Sequence, residues 1–518
     1  MPSPTHLVTV DCFDTAITRA LGEPRQVGYV VAERLRRAGV VSTPPEQYVE
    51  ARERAEHLAR RRVGPGRTLD DVARELVALL GLDPDVAPVL VEAEVDAEVL
   101  LTRQVPGTAS RLARERDRGA QVGFLSDTPL TTDQLRRLLA RAGVLDERDL
   151  VWTSSELGAE KGEGAAYAAV VADLGGRPGT WRHSGDNHRS DVVMARLSGV
   201  RASWAPAGSL TRYERALDRA SPATGGVSSL LAGSSRRARL LLAASDADAD
   251  LAPAATGALG AVVVAYGLWA LARADAAGAA AVRVQGSSGA AVALREVLRR
   301  LAGATTGVLV LDEGAPGADG AVVVHAPDGD GSGPGLHLVR RASAGATAEL
   351  PGPAMGAGSR DAGWLRDDVA GTGAEEHEVE AVRLAVSLAA AGTRGPALLA
   401  EELAPLVGLL PATARSSGRD VRGGELVQAD LRGAVVAACR RLRDDPSADD
   451  AAAWARRLPA VVACWPAAAR AGAPTWVRPA HDLRRRVGAA AVVARRVGAR
   501  ATVLARGRLG RPGRRRGA

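Results

Sequence analysis

Short apolar runs that break into acids or hydroxyls recur along the first two hundred residues. Leu7-Val8-Thr9-Val10 gives way to Asp11-Cys12-Phe13-Asp14-Thr15, and Val122-Gly123-Phe124-Leu125 to Ser126-Asp127-Thr128. Leu150-Val151-Trp152 is a third run, and Trp181-Arg182-His183-Ser184 leads into Gly185-Asp186-Asn187. Runs of this length read as buried strands that deliver polar groups at their carboxyl ends. Helical spacing of three and four marks residues 132–142 and 165–173 between them. Strand alternating with helix predicts an α/β fold, a doubly wound parallel sheet whose ligands bind where strands end. From about 23 to 102 the pattern is helical throughout, with apolar stripes over 27–38, 46–61 and 70–80 separated by Gly and Pro.

After Trp204 the texture changes. Residues 206–250, rich in Ala, Ser and Arg, read as linker plus helix. Residues 251–272 carry no charge, but Ala, Gly and Pro253 dilute their apolar character, so a buried helix is expected rather than a membrane span. Ala281-Val282-Arg283-Val284, the turn Gly286-Ser287-Ser288-Gly289 and a helix to Leu301 predict a second strand–turn–helix unit. Partner strands are expected at 309–311 and 322–324, the latter within a loop-rich stretch over 314–335. Residues 376–470 read as Ala-rich helix, with Trp454, Trp465 and Trp476 as core anchors. The stretch 484–518 holds twelve arginines and no acid.

The chain has 518 residues, enough for roughly three domains. Apolar residues make up 46% and aromatics 3%, so the cores must be built mainly from Ala, Val and Leu. Three unpaired cysteines (Cys12, Cys439, Cys464) exclude a disulfide scaffold and a thiolate zinc site. Residues 1–5 lack the basic start and apolar run of a secretory signal, and a cytoplasmic location is expected. The net charge of +7 hides a strong bias: of 67 basic residues one is lysine, Lys161. Asn187 and Ile17 are likewise single, and Phe13 and Phe124 are the two phenylalanines. A residue type that survives such bias once marks a position where its replacement fails.

These survivors cluster at the strand ends, where Asp11, Ser126, Lys161 and the pair Asp186/Asp191 suit phosphoryl transfer. A carboxylate can attack phosphorus, a hydroxyl can hold phosphoryl oxygens, a lysine can neutralise developing charge, and carboxylates can seat Mg²⁺. In this order and at these places they resemble the haloacid dehalogenase-like hydrolase superfamily over about residues 5–205. The resemblance rests on Asp11-Cys12-Phe13-Asp14-Thr15, Phe124-Leu125-Ser126-Asp127, Gly158-Ala159-Glu160-Lys161-Gly162 and Gly185-Asp186-Asn187-His188-Arg189-Ser190-Asp191. It implies that Asp11 is the nucleophile, that Ser126 binds phosphate, and that Lys161 steadies the intermediate. It also implies that Asp186, with Asp11 and the Phe13 carbonyl, holds Mg²⁺, with Asp191 in support. The helical insertion, about 22–102, resembles the family's cap.

Many phosphatases of this superfamily carry a second Asp two positions after the nucleophile, as acid and base. Here that position is Phe13, and Asp14 follows one residue later, either as a substitute acid and base or as a hydrogen-bond partner of the turn. An Asp-x-Phe-Asp-Thr form is similar to bacterial members linked to surface-polysaccharide synthesis, and an aromatic there also resembles the dehalogenase branch. The order of elements after residue 250 resembles the accessory region of the polysaccharide-linked proteins, although Gly286-Ser287-Ser288-Gly289 lacks the Arg-Asp-Gly turn expected there. The expected organisation is thus a hydrolase domain over 1–205, a linker or helical segment over 206–250, an appended α/β-to-helical region over 251–480 and an Arg-rich tail over 481–518. The expected activity is a Mg²⁺-dependent phosphomonoester phosphatase acting on a small phosphorylated substrate, with sugar phosphates among the candidates. A catalytically weak binding or scaffold protein of envelope-polysaccharide synthesis and a dehalogenase-like hydrolase are the alternatives. No specific nucleic acid is expected as a partner, and the tail is a candidate surface for acidic polymers or a membrane.

Overall fold

The computed structural model describes residues 5–244, 252, 255–285, 289–305, 308–311, 322–325, 338–341, 347–349, 394–411 and 413–414. Five strands form an all-parallel sheet: β1 (His6–Val10), β4 (Gln121–Ser126), β5 (Leu150–Thr153), β6 (Thr180–Gly185) and β7 (Arg201–Trp204), in the order β5-β4-β1-β6-β7. Val10 pairs with Phe124 on one side and Ser184 on the other, so β1 is central and its end is level with those of its neighbours. Asp11 follows β1, Ser126 closes β4, and Asp186 follows β6, which places all three along one edge. Helices α5 (Thr108–Asp117), α6 (Thr132–Arg141) and α8 (Ala165–Asp173), with the short turns α7 (Ser154–Leu157) and α9 (Ala195–Leu197), connect the strands.

The helical insertion stands on a two-stranded antiparallel stem of β2 (Ile17–Arg19) and β3 (Thr102–Gln104), in which Ile17 faces Gln104 and Arg19 faces Thr102. Above it lie α1 (Val27–Arg37), α2 (Pro45–Val63), α3 (Leu69–Leu80) and α4 (Ala87–Leu101). The start of α3 shows why the pattern predicted it. Thr68 accepts the Asp71 N–H, and Asp71 returns a bond to the Thr68 N–H, which satisfies two donors that a helix start leaves free. Val72, Leu76 and Val77 then bury its apolar stripe.

Helix, expected here together with linker, makes up most of residues 206–244. Here α10 (Arg212–Arg219) leads to α11 (Val227–Ala244), in which Ser228, Ser229, Ser234 and Ser235 are buried beside Leu230 and Leu231. The sequence reads as polar because this packing face is made of small hydroxyl residues and Gly233. A side chain is impossible at Gly233 without movement, since a Cβ there would lie 2.1 Å from the Leu21 nitrogen. Helices α12 (Ala261–Ala276), α13 (Gly289–Thr305) and α14 (Gly395–Leu403) join the same apolar core as α1 and α11.

A second sheet has the order β12-β11-β10-β8-β9, from β8 (Ala281–Gln285), β9 (Leu309–Leu311), β10 (Val322–His325), β11 (Leu338–Arg341) and β12 (Thr347–Glu349). Its first three chain-order members pair in parallel, and the last two are antiparallel. Among the described residues no helix is long and apolar enough to cross a membrane; the uncharged stretch 251–272 supplies α12, whose Leu268, Trp269 and Leu271 are buried. Most of the Gly286 to Gly289 turn, most of the Ala-rich helix expected over 376–470, the three tryptophans Trp454, Trp465 and Trp476, and the Arg-rich tail lie outside the described residues.

Candidate active site

Lys161 lies on a helical turn after β5 and is 2% exposed. Its ammonium contacts Asp11 Oδ1 and lies 2.7 Å from Asp191 Oδ1. Residues 150 and 30 positions away along the chain thus meet on one cation. The Lys161 N–H is held by both oxygens of Asp127, at 3.0 and 3.1 Å, which fixes the loop that delivers the side chain. Burial would lower the Lys161 pKa, but Asp11, Asp191 and Asp127 outweigh it and hold it well above the usual value. The group is an ammonium.

Asp191 sits in a wide helical turn, His188–Met194, begun by Asn187, whose side-chain oxygen accepts from Arg189 N and Ser190 N. Asp191 Oδ2 accepts the Asn187 N–H at 3.0 Å, and Oδ1 lies 3.4 Å from His183 Nε2. The Trp181 indole can only donate, so Thr9 Oγ accepts from it at 2.8 Å; the same oxygen donates to the Arg182 carbonyl at 3.4 Å and lies 2.9 Å from His183 Nδ1. His183 Nε2 faces Asp191, and burial lowers the His183 pKa, which favours the neutral imidazole. Burial would raise Asp191, yet His183 and Lys161 overcome it and hold its carboxyl well below the usual range.

Asp11 is 8% exposed, and its backbone N–H donates to Ser184 O at 2.9 Å. Burial pushes its carboxyl up to about 7, with Asp191 and Asp186 adding to the rise and Lys161 opposing it. Asp186 accepts the Ser209 hydroxyl at 2.9 Å, and burial raises its carboxyl too. Oxygens of Asp11, Asp186 and Asp191 all lie within 4.8 Å of one another. When all three are ionised these carboxylates outnumber the one ammonium by two charges, and hard oxygen donors in that number suit a divalent ion such as Mg²⁺, whose charge favours their ionised forms. Ser126, 2% exposed, closes the neighbouring strand.

The structure therefore brings Asp11, Lys161, Asp186 and Asp191 together. Asp14, expected either as acid and base or as a bond to the turn, sits beside Arg236 and Thr18. It is the one non-glycine described residue with a left-handed backbone, at φ 57°, and its Oδ1 accepts from Arg236 at 2.7 Å and Thr18 at 3.2 Å. Phe13 lines a cavity of about 810 Å³ under the cap, with the Arg19 guanidinium 3.8 Å from its ring centre. The cavity is walled by ion pairs: Arg19 on Glu98 at 2.8 Å, Arg52 on Glu94 at 2.6 Å, and Arg67 on Glu56 at 2.9 Å. Arg60 and Arg67 of the cap also reach Glu160, the residue before Lys161.

Sequence reasoning assigned no role to Asp127, Thr9, His183, Ser209 or Arg236. Asp127 lay beside Ser126 and was open to discovery. Thr9 and Arg236 have partners 172 and 222 positions away, too distant for any spacing to show, whereas His183 lies only eight positions from Asp191 and Ser209 only 23 from Asp186.

No family model matches the chain. A phosphoserine phosphatase of Thermus thermophilus is 33% identical over 103 residues, which is 20% of this chain and 41% of that protein. The chain thus spans about two-fifths of the length of this curated relative. Among solved structures, a 2-haloacid dehalogenase from Pseudomonas syringae pv. Tomato overlays 38% of this chain and 85% of its own, at 20% identity and a TM-score of 0.30. A HAD phosphatase from Thermococcus onnurineus overlays the same shares at 24% identity and a TM-score of 0.27. The molecule is an α/β protein with a central five-stranded parallel sheet, similar over 103 residues to a phosphoserine phosphatase.

Proposed function

We propose that this protein is a Mg²⁺-dependent phosphomonoester hydrolase of the haloacid dehalogenase-like superfamily, acting through an aspartyl-phosphate on Asp11. The observation that carries the reading is the convergence of Asp11, Asp186 and Asp191 on the buried Lys161 at one edge of the sheet. An Asp11 oxygen attacks phosphorus and the bond to the leaving oxygen breaks, releasing the alcohol. Water then attacks the phosphorus of the acyl-phosphate, freeing inorganic phosphate and restoring the carboxylate. Lys161 neutralises charge on the phosphoryl oxygens, and Ser126 donates to one of them. Asp11, Asp186, Asp191 and the Phe13 carbonyl would hold Mg²⁺, which when bound would supply charge neutralisation at the phosphoryl group.

Asp14 is assigned a positioning role, because Arg236 and Thr18 engage the carboxylate expected to relay the proton. A proton relay contributes about 10² to 10⁴ in rate, and Phe13 supplies none. Aryl phosphates, whose leaving oxygen departs without a proton, should therefore be turned over about 10² or more faster than alkyl phosphates. A screen of p-nitrophenyl phosphate, phosphoserine and sugar phosphates with and without Mg²⁺ checks this. Turnover that needs Mg²⁺ supports the proposal; halide release from haloacids without metal, or no turnover of any ester, defeats it.

The same Phe13 and the engaged Asp14 favour a second reading, a phosphate-binding protein with little turnover, in which a sugar phosphate binds without reaction.

Ser209 gives a further check. Its hydroxyl orients Asp186, and outer partners of metal ligands are typically worth about 10- to 100-fold in affinity. Ser209→Ala should weaken Mg²⁺ binding about 10-fold by titration calorimetry, with Lys161 and Asp191 untouched.

A further inference from the structure

We infer that helix α11, outside both sheet and cap, carries a positioning residue for this site: buried Arg236 ties the turn after Asp11, the cap stem and the Asp186 loop into one unit. The inference rests on the hydrolase reading proposed above. It concerns a part of the chain to which that reading gives no task.

The sequence of α11 explains the approach. Gly233 lets the helix backbone lie against Ala20 and Leu21, and residues three positions apart share a helix face. Arg236 is therefore aimed into the gap that Gly233 opens. Its side chain is 1% exposed. Nη1 donates to Asp14 Oδ1 at 2.7 Å and to Gly208 O at 3.4 Å, while Nη2 donates to Arg19 O and Leu21 O, each at 2.8 Å. Asp14 belongs to the nucleophile turn. Arg19 and Leu21 lie at the foot of the cap, and Gly208 precedes Ser209, the partner of Asp186.

Neighbouring residues of α10 and α11 extend the same clamp. Arg239 donates to Ala207 O and Ser209 O, at 3.1 and 3.0 Å. Ser229 accepts the Gly22 N–H and donates to Asp218, which in turn accepts from Glu23 N and Gln26 Nε2. Arg237 reaches Gln104 O on the other stem strand. Both stem strands and both acidic loops are thus held from one helix.

Filling this volume with an apolar side chain would avoid burying a charge. A planar guanidinium instead fixes several acceptors at set angles, and here those acceptors come from three segments that meet at the reaction centre. Asp14, with its left-handed backbone, is the carboxylate it grips among the described residues. Arg236 acts on the chemistry through that turn and does not touch substrate.

The test uses the full chain with Mg²⁺ and p-nitrophenyl phosphate, and compares Arg236→Met, Arg236→Lys, Asp14→Asn and the Arg236→Met/Asp14→Asn double variant. Misplacing a reacting group by an ångström costs about 10²-fold, so Arg236→Met should lower kcat by about 30- to 100-fold with KM changed less than about 3-fold. The double variant should be no worse than the poorer single variant, and Arg236→Lys should recover only part of the loss, because an ammonium does not span the four acceptors the guanidinium serves. Hydrogen exchange should quicken in residues 17–22 and 102–105 and stay unchanged in the sheet.

A kcat within about 3-fold of the parent, additive losses in the double variant, or exchange quickened across the whole sheet without recovery in Arg236→Lys would overturn the inference. Should the parent chain turn over none of the esters, the hydrolase reading fails on its own. The exchange comparison then judges the clamp: quickening confined to the stem upholds it, and unchanged exchange overturns it.

Discussion

Asp11→Asn should lower kcat on p-nitrophenyl phosphate by about 10⁴-fold or more while the chain stays folded. The carboxamide has nearly the shape of the carboxylate but cannot attack phosphorus, and the Asp11 backbone bond to Ser184 O does not depend on the side chain. Lys161 retains Asp191 at 2.7 Å. The substitution also relieves part of the charge excess around the ammonium. Without divalent cation the variant should therefore melt no lower than the parent chain, and the rise in melting temperature on adding Mg²⁺ should shrink because a ligand is gone. Kinetics and melts with and without Mg²⁺ read all three effects. A variant that keeps kcat within about 3-fold of the parent would place the nucleophile elsewhere.

The parts of this site legible in the sequence share one property: their chemistry is announced by a strand end or by a rare residue type. Asp11, Ser126 and Asp186 close apolar runs, and Lys161 is single among the basic residues. Cap helices α1, α2 and α3 were equally open to reading, because an amphipathic stripe is a local pattern. The cap stem was not, since three-residue strands such as Ile17–Arg19 are too short to show a period. Helix α11 was read as linker or helix without a packing face, because serines and a glycine do the packing. The engagement of Asp14 was hidden for another reason. Its partner Arg236 lies 222 positions away in a chain where arginine is nearly the sole base, so the residue type carries no signal.

That same scarcity makes Lys161 the sharpest point of test. Lys161→Met keeps the length of the side chain and removes its charge, leaving Asp11, Asp191 and Asp186 crowded without their cation. Removing one partner of a buried charge pair costs about 3 to 5 kcal/mol, so the variant should unfold at clearly lower urea concentration when cations are chelated. Mg²⁺ should restore much of that stability, and by more than it adds to the parent chain, because the site then binds the ion against three uncompensated carboxylates. Activity should not return with it. In the proposed mechanism the ammonium acts on the phosphoryl oxygens as well as on the carboxylates, and losing such a group costs about 10² to 10³ in kcat. Lys161→Arg should rescue neither property fully, since a planar guanidinium cannot occupy the place where a compact ammonium meets Asp11 and Asp191 within a 2%-exposed site. Stability recovered by Mg²⁺ without activity would separate the two tasks of this residue. Equal loss of stability with and without Mg²⁺ would show that the three carboxylates do not form a cation site, and the metal-dependent mechanism would fall with it.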